Sequence, residues 1–173
     1  MSNNWAHRLF SFPNPVNEVA ARSVAAGVVV MATVAIAADL PWLLIPLVYG
    51  FWARVLTGPT LSPLGQLATR VVAPRLPFAP RPTPGPPKRF AQGMGAFMST
   101  TALVVWLTAG WTPAAVLLGM LVVAALLESA LGLCLGCKAF AFLMRLGVIP
   151  ERICQECADL GRRHPELVSN PAA

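Results

Sequence analysis

The chain alternates between long apolar stretches and short polar punctuation. The first apolar block runs without a charge from Ser23 to Ala38. Asn14-Pro15 offers a cap followed by proline at a first helical position, so the pattern predicts a helix from there to Ala38. Such a helix measures about 36 Å, against a hydrocarbon core of about 30 Å. Glu18 and Arg22, four apart near its start, are placed to pair on one face. Asp39 ends the block. The second block, Leu40 to Ala53, contains Pro46 and spans only about 21 Å. It crosses a bilayer if Arg54 snorkels and the helix continues toward Thr57, and forms a re-entrant hairpin otherwise. The third block, Phe90 to Trp111, carries no charge, and the fourth opens at Thr112-Pro113 and is apolar to Cys137 except for Glu128. Small residues on both (Gly93, Gly95, Ala96 and Ser99; Gly119, Ala124, Ala125 and Ser129) predict close helix packing.

Composition agrees with the pattern. Of 173 residues 56% are apolar and 12% charged, against about 25% charged in a typical soluble domain. Twenty charged side chains cannot cover a soluble fold of this length, so a soluble enzyme and a disordered chain are both disfavoured. Ala35-Ile36-Ala37 after an apolar core imitates a signal-peptide cleavage site. The long, proline-containing segment ahead of it argues for a retained first helix.

The thirteen Lys and Arg residues sharpen the picture. They fall at the N-terminal end, between the second and third blocks, or after the fourth; the connections near Asp39-Leu40-Pro41 and Gly110-Trp111-Thr112 have none. Basic residues flanking spans stay cytoplasmic, which predicts four spans with both termini inside. The net charge of +6 is then a matter of topology and anionic lipid, with no nucleic acid implied. The expected fold is all-α and polytopic: four transmembrane helices in two hairpins, an interfacial helix in the central loop, and a C-terminal cytosolic helix. The expected division is a cytosolic segment 1–14, a membrane domain 15–147 with spans near 18–38, 40–56, 90–110 and 113–135, and a cytosolic segment 148–173. Within the loop 57–89, Ser62-Pro63 starts a short helix whose Leu64, Leu67, Val71 and Val72 share a face while Gln66 and Arg70 point away. Pro74 to Pro87 reads as an extended tether, with a proline-rich docking motif as the other reading. Trp5, Trp42, Trp52, Trp106 and Trp111 fit an aromatic belt.

The chemistry concentrates in four cysteines, Cys134-Leu135-Gly136-Cys137 and Cys154-Gln155-Glu156-Cys157. On the cytosolic side thiols are kept reduced, so a structural disulfide is disfavoured. One reading is a pair of redox dithiols exchanging electrons or sulfur; the other is one zinc held by all four cysteines. Inert apolar packing is a third, strongest for Cys134. If the fourth helix runs straight through Arg145 to Gly147 and a second starts at Pro150, Cys137 comes near Cys157 while Cys134 and Cys154 stay apart, as resolving thiols. A break at Gly132 or Gly136 would be needed to close a zinc site, and would expose helix N–H groups to Cys137 and lower its pKa. Glu128, alone in the fourth helix, is expected to pair with an arginine such as Arg22 or Arg54 or to meet a nearby hydroxyl, with a proton relay to the thiols as the functional alternative. His7 and His164 lie near no metal-ligand cluster. A channel is disfavoured because the spans lack a polar lining.

The segments Phe12-Pro13-Asn14-Pro15-Val16-Asn17-Glu18, Gly58-Pro59 through Gln66, and above all Leu133-Cys134-Leu135-Gly136-Cys137-Lys138 resemble the bacterial membrane family called domain of unknown function 4395. The resemblance covers nearly the whole chain. It implies a small four-span protein of the bacterial inner membrane, with Cys134 and Cys137 as its signature pair and a thioredoxin-like or sulfurtransferase partner. It brings no activity with it.

Overall fold

The structure, a computed structural model, describes residues 14–77 and 82–149. Among them are six α-helices: α1 (Glu18–Ala37), α2 (Leu44–Thr57), α3 (Pro63–Leu67), α4 (Gly85–Ala109), α5 (Trp111–Leu131) and α6 (Leu135–Arg145). Three of them, α1, α4 and α5, are long and apolar enough to cross a membrane, and the all-helical chain reads as a membrane protein. The expected second span appears as a 3₁₀ turn, Pro41–Leu43, leading into the shorter α2. The expected C-terminal cytosolic helix falls, with Cys154 and Cys157, outside the described residues, as do Trp5, His7 and His164.

Packing joins the second expected hairpin, whereas the two helices of the first turn mainly to the other pair. α1 lies chiefly against α5, α2 against α4, and α4 against α5, while α1 and α2 touch less. The reason is where the small side chains sit. Ala32 and Ala35 of α1, Ala96 and Ser99 of α4 and Ala114 of α5 are buried, which lets helix backbones approach closely. Gly95 lies under the Phe51 ring: a Cβ there would meet its Cδ1 at 2.6 Å. Gly93 and Gly119, by contrast, face open space. Leu44, Leu47 and Leu118 fill the core between them, while many other large apolar side chains point outward, among them Phe97 at 72% and Leu107 at 70% exposure. Close contacts through small residues, with so many large apolar side chains exposed, suit a bundle bathed in lipid rather than water.

Several boundaries differ from those expected. Asn14 does not cap α1. Val16–Asn17 pairs in a two-residue antiparallel ladder (β1) with Pro82–Thr83 (β2), so the chain is extended there and the helix starts later, capped by Asn17, whose Oδ1 accepts from Val19 N–H at 2.9 Å. Asn14 Oδ1 accepts instead from the Gly85 N–H at 3.1 Å, tying the N-terminal segment to the start of α4. That helix begins at Gly85 rather than Phe90, because Pro86 and Pro87 occupy its first turn, where no N–H is needed. The central loop therefore shortens, and Lys88 and Arg89 become helical. The short helix does start at Pro63, but it passes into a π-turn at Ala68–Val72, which shifts the register. Ser62, Gly65 and Ala68 face the bundle, Leu64 covers Gly27, and Leu67 and Val71 point outward.

α5 ends at Leu131, short of the 135 expected for the fourth span. Gly132, at φ +68°, adopts the left-handed conformation that closes α5, and its N–H donates to the Glu128 carbonyl at 3.1 Å. The helix does not run straight on to Arg145; it restarts at Leu135.

Candidate functional site

Of the two glycines at which a break was expected, Gly132 breaks the helix and Gly136 does something else. It sits in the first turn of α6, where a Cβ would lie 2.5 Å from both Cα and Cβ of Ala91. No side chain fits there, so the glycine between the two cysteines is what brings α6 against α4.

The break makes Cys134 the N-cap of α6. Its Sγ accepts the Cys137 N–H at 3.4 Å, and its carbonyl accepts the Lys138 N–H at 3.1 Å. Cys134 is buried, at 7% exposure, and Cys137 is half-buried. Both lie beyond the long apolar helices. The Cys134 thiol is held below its ordinary value, first by a hydrogen bond from the Cys137 thiol. The Cys137 N–H and the Lys88 charge add to this, against burial and Glu128. Cys137 is pushed up, first because its thiol serves as that donor and then by its partial burial. The expectation that Cys137 would be the activated thiol is thus reversed: at a helix N-terminus the capping residue faces the free N–H groups.

Glu128 pairs with neither Arg22 nor Arg54. Its Oε1 accepts from Lys88 Nζ at 2.8 Å, with both side chains largely buried. Lys88 was placed in the loop by sequence reasoning and so was missed as a partner; the signal that could have found it is the Pro86-Pro87 helix start. Arg22, expected to pair with Glu18, donates from Nε and Nη2 to the Ser129 carbonyl and from Nη2 to the Ala130 carbonyl. It thereby covers the carbonyls at the end of α5. Arg54 is turned inward rather than snorkelling. Its Nε donates to Gln92 Oε1 at 2.8 Å and its Nη1 to Ser62 Oγ at 3.1 Å, with the guanidinium carbon 4.6 Å from the centre of the Phe51 ring.

A cavity of about 210 Å³ runs beside these groups. Its wall includes Glu128, Cys134 and Gly136 together with apolar residues such as Val28, Phe51 and Met98. The structure thus gathers Cys134, Cys137, Lys88 and Glu128 in one place. Among the described residues no cluster of three or more His, Cys, Asp or Glu side chains could hold a metal; Cys154 and Cys157 lie outside them.

The model of the family described as Domain of unknown function (DUF4395) matches residues 16–145. The chain belongs to that family. No curated protein and no solved structure matches it. The matched segment begins at the β1 residues tied to the start of α4 and ends with α6, so the family's extent takes in the whole described bundle and its thiol turn.

Proposed function

We propose that this member of the family is a four-span protein of the bacterial cytoplasmic membrane with both termini inside, whose Cys134–Cys137 site exchanges electrons or sulfur with a soluble, thioredoxin-like or sulfurtransferase partner. The observation that carries the reading is the capping sulfur. A thiol that accepts a helix N–H, takes a hydrogen bond from its CxxC mate and sits near a lysine is favoured as thiolate, the form that attacks disulfides. In the redox form of the step, Cys134 sulfur attacks one sulfur of a partner disulfide and a mixed disulfide forms while the other partner sulfur leaves. Cys137 sulfur then attacks Cys134, the mixed disulfide breaks, and the partner departs with both sulfurs reduced. Two electrons and two protons pass from this chain to the partner. Cys134 borders the 210 Å³ cavity, through which the incoming sulfur reaches it.

The four-span topology draws support from the 3₁₀-plus-α2 segment, Pro41–Thr57, and from the basic residues gathered beside the thiols. α3 and its π-turn, with Leu67 and Val71 outward, suit an interfacial segment on the inner leaflet. The Lys88–Glu128 pair balances its own charges, so a proton relay from Glu128 requires the pair to open.

The test is metal content and thiol redox state of detergent-purified protein. The reading expects metal-free protein with a Cys134–Cys137 disulfide that forms with a mild disulfide oxidant and reverses with dithiol. One zinc per chain, lost on substituting any single cysteine, would sink it in favour of a four-cysteine zinc scaffold. Labelling of Cys137 from outside intact cells would overturn the orientation.

A further inference from the structure

A second cavity, of about 180 Å³, lies at the same end of the bundle and is independent of the thiols. Its polar lining is Asn17, Arg54, Thr69, Lys88 and Gln92. That volume far exceeds the roughly 10–15 Å³ that one water requires. Among the described residues no carboxylate lines it. Its side-chain amide oxygens each already accept a hydrogen bond: Asn17 Oδ1 from the Val19 N–H, Gln92 Oε1 from Arg54. The Thr69 hydroxyl donates to the Gly65 carbonyl.

Donors, by contrast, are in surplus. Arg54 is 5% exposed, and its Nη2 is buried with no hydrogen-bond partner. Leaving a charged nitrogen unsatisfied away from water is costly, and buried guanidinium groups are ordinarily met by an anion or a carbonyl. Lys88 has three N–H donors and spends one on Glu128. The amide nitrogen of Gln92 is a further donor beside them. Two cations, Arg54 and Lys88, thus line the cavity, and of the two only Lys88 is paired with a carboxylate, Glu128, which is not part of the lining.

We propose that this cavity binds a phosphate-type oxyanion. The planar guanidinium fork and the ammonium together supply the geometry such an anion takes. The rest of the wall is apolar, with Val16, Ala20 and Pro59 among its residues. That combination suits the phosphate of an anionic lipid headgroup, whose glycerol would lie against the apolar rim. A free phosphate ion offers the same oxygens. Placement at the basic end of the bundle fits either, since anionic lipid and cytosolic phosphate both lie on the side where basic residues collect.

The experiment uses full-length protein in detergent, in two arms. In one, phosphatidylglycerol is added and retention is read by native mass spectrometry. In the other, delipidated protein is titrated with sodium phosphate and its thermal midpoint followed. The variants are Arg54→Gln, which removes the donor, and Ala21→Leu, which fills the cavity from α1 and keeps every charge. Arg70→Gln, at an exposed arginine outside the cavity, is the control for surface charge. Binding in at least one arm is expected, weakened about tenfold or more by both variants and unchanged by the control. Lipid retention alone identifies the headgroup as the source; stabilisation by phosphate alone identifies the free ion. The proposal is overturned if the wild type binds in neither arm. It is overturned equally if Ala21→Leu binds as the wild type does, because the ligand then does not occupy the cavity. Should Arg54→Gln fail to fold, Ala21→Leu decides.

Discussion

The two ends of the bundle solve their polar requirements in opposite ways. At the aromatic end, polar groups sit at the rim. Trp111 Nε1 donates to Asp39 Oδ1 at 2.9 Å on the exposed surface, and Trp42 meets Trp106 edge to face at 5.2 Å between ring centres. At the basic end, charged side chains are folded inward: Lys88 onto Glu128, Arg54 onto Gln92 and Ser62, Arg22 onto the last carbonyls of α5. The first arrangement anchors a helix end at a membrane surface. The second buries charge, which costs stability unless something is gained by it. The proposed thiol chemistry lies at the basic end.

The largest effect expected from this contrast comes from breaking the buried pair. Glu128→Ala leaves Lys88 uncompensated and should cost about 3–5 kcal/mol, read by unfolding in mixed micelles. The double variant Lys88→Met/Glu128→Leu should recover most of that loss. A single variant as stable as the wild type would show that the pair is not buried as described. Next comes Gly136→Ala, whose new methyl group meets the Ala91 backbone. It should cost about 1–3 kcal/mol and separate α6 from α4, so that cysteine alkylation rises even at unchanged pH.

Smaller in energy but more specific is the titration of the thiols. Alkylation of Cys134 should set in at lower pH than that of a free thiol, and Cys137 should react only at higher pH, as mapped by mass spectrometry of the labelled peptides. Cys137→Ala removes the stabilising donor and should move the Cys134 profile upward; a profile that stays put would remove the hydrogen bond from the account. The smallest effect belongs to the aromatic end. Trp111→Phe deletes one exposed hydrogen bond and should cost about 0.5–1.5 kcal/mol at most. A loss there rivalling Glu128→Ala would erase the contrast between the ends.

Much of this was legible in the sequence because hydrophobic length and charge placement are local signals. The long blocks around Val28, Ala102 and Leu118 announce themselves, and so does the CLGC turn as the likeness to the family. Partner choice was not legible. Glu128 selects Lys88 over Arg22 and Arg54 because α4 starts at Gly85 and lies against α5, a fact of tertiary packing that no spacing along α5 reports. The same holds for the thiols. A break at Gly132 or Gly136 could be foreseen, but which cysteine becomes the cap depends on which glycine takes the left-handed turn. The π-turn at Ala68–Val72 likewise scattered a face that a regular 3.6-residue period would have kept together.

The packing of α1 against α5 has a consequence in time. Val28 and Leu118 belong to one buried cluster, yet about 90 residues of synthesis separate them. At about 5–20 residues per second, α1 waits roughly 5–20 s before its main neighbour exists. During that interval α2, α3 and the π-turn are already made, but the face of α1 that packs on α5, and Arg22, still lack their partners. The first of the described helices to be made is thus among the last to be fully housed, and biogenesis of this protein should be sensitive to anything that delays or truncates α5.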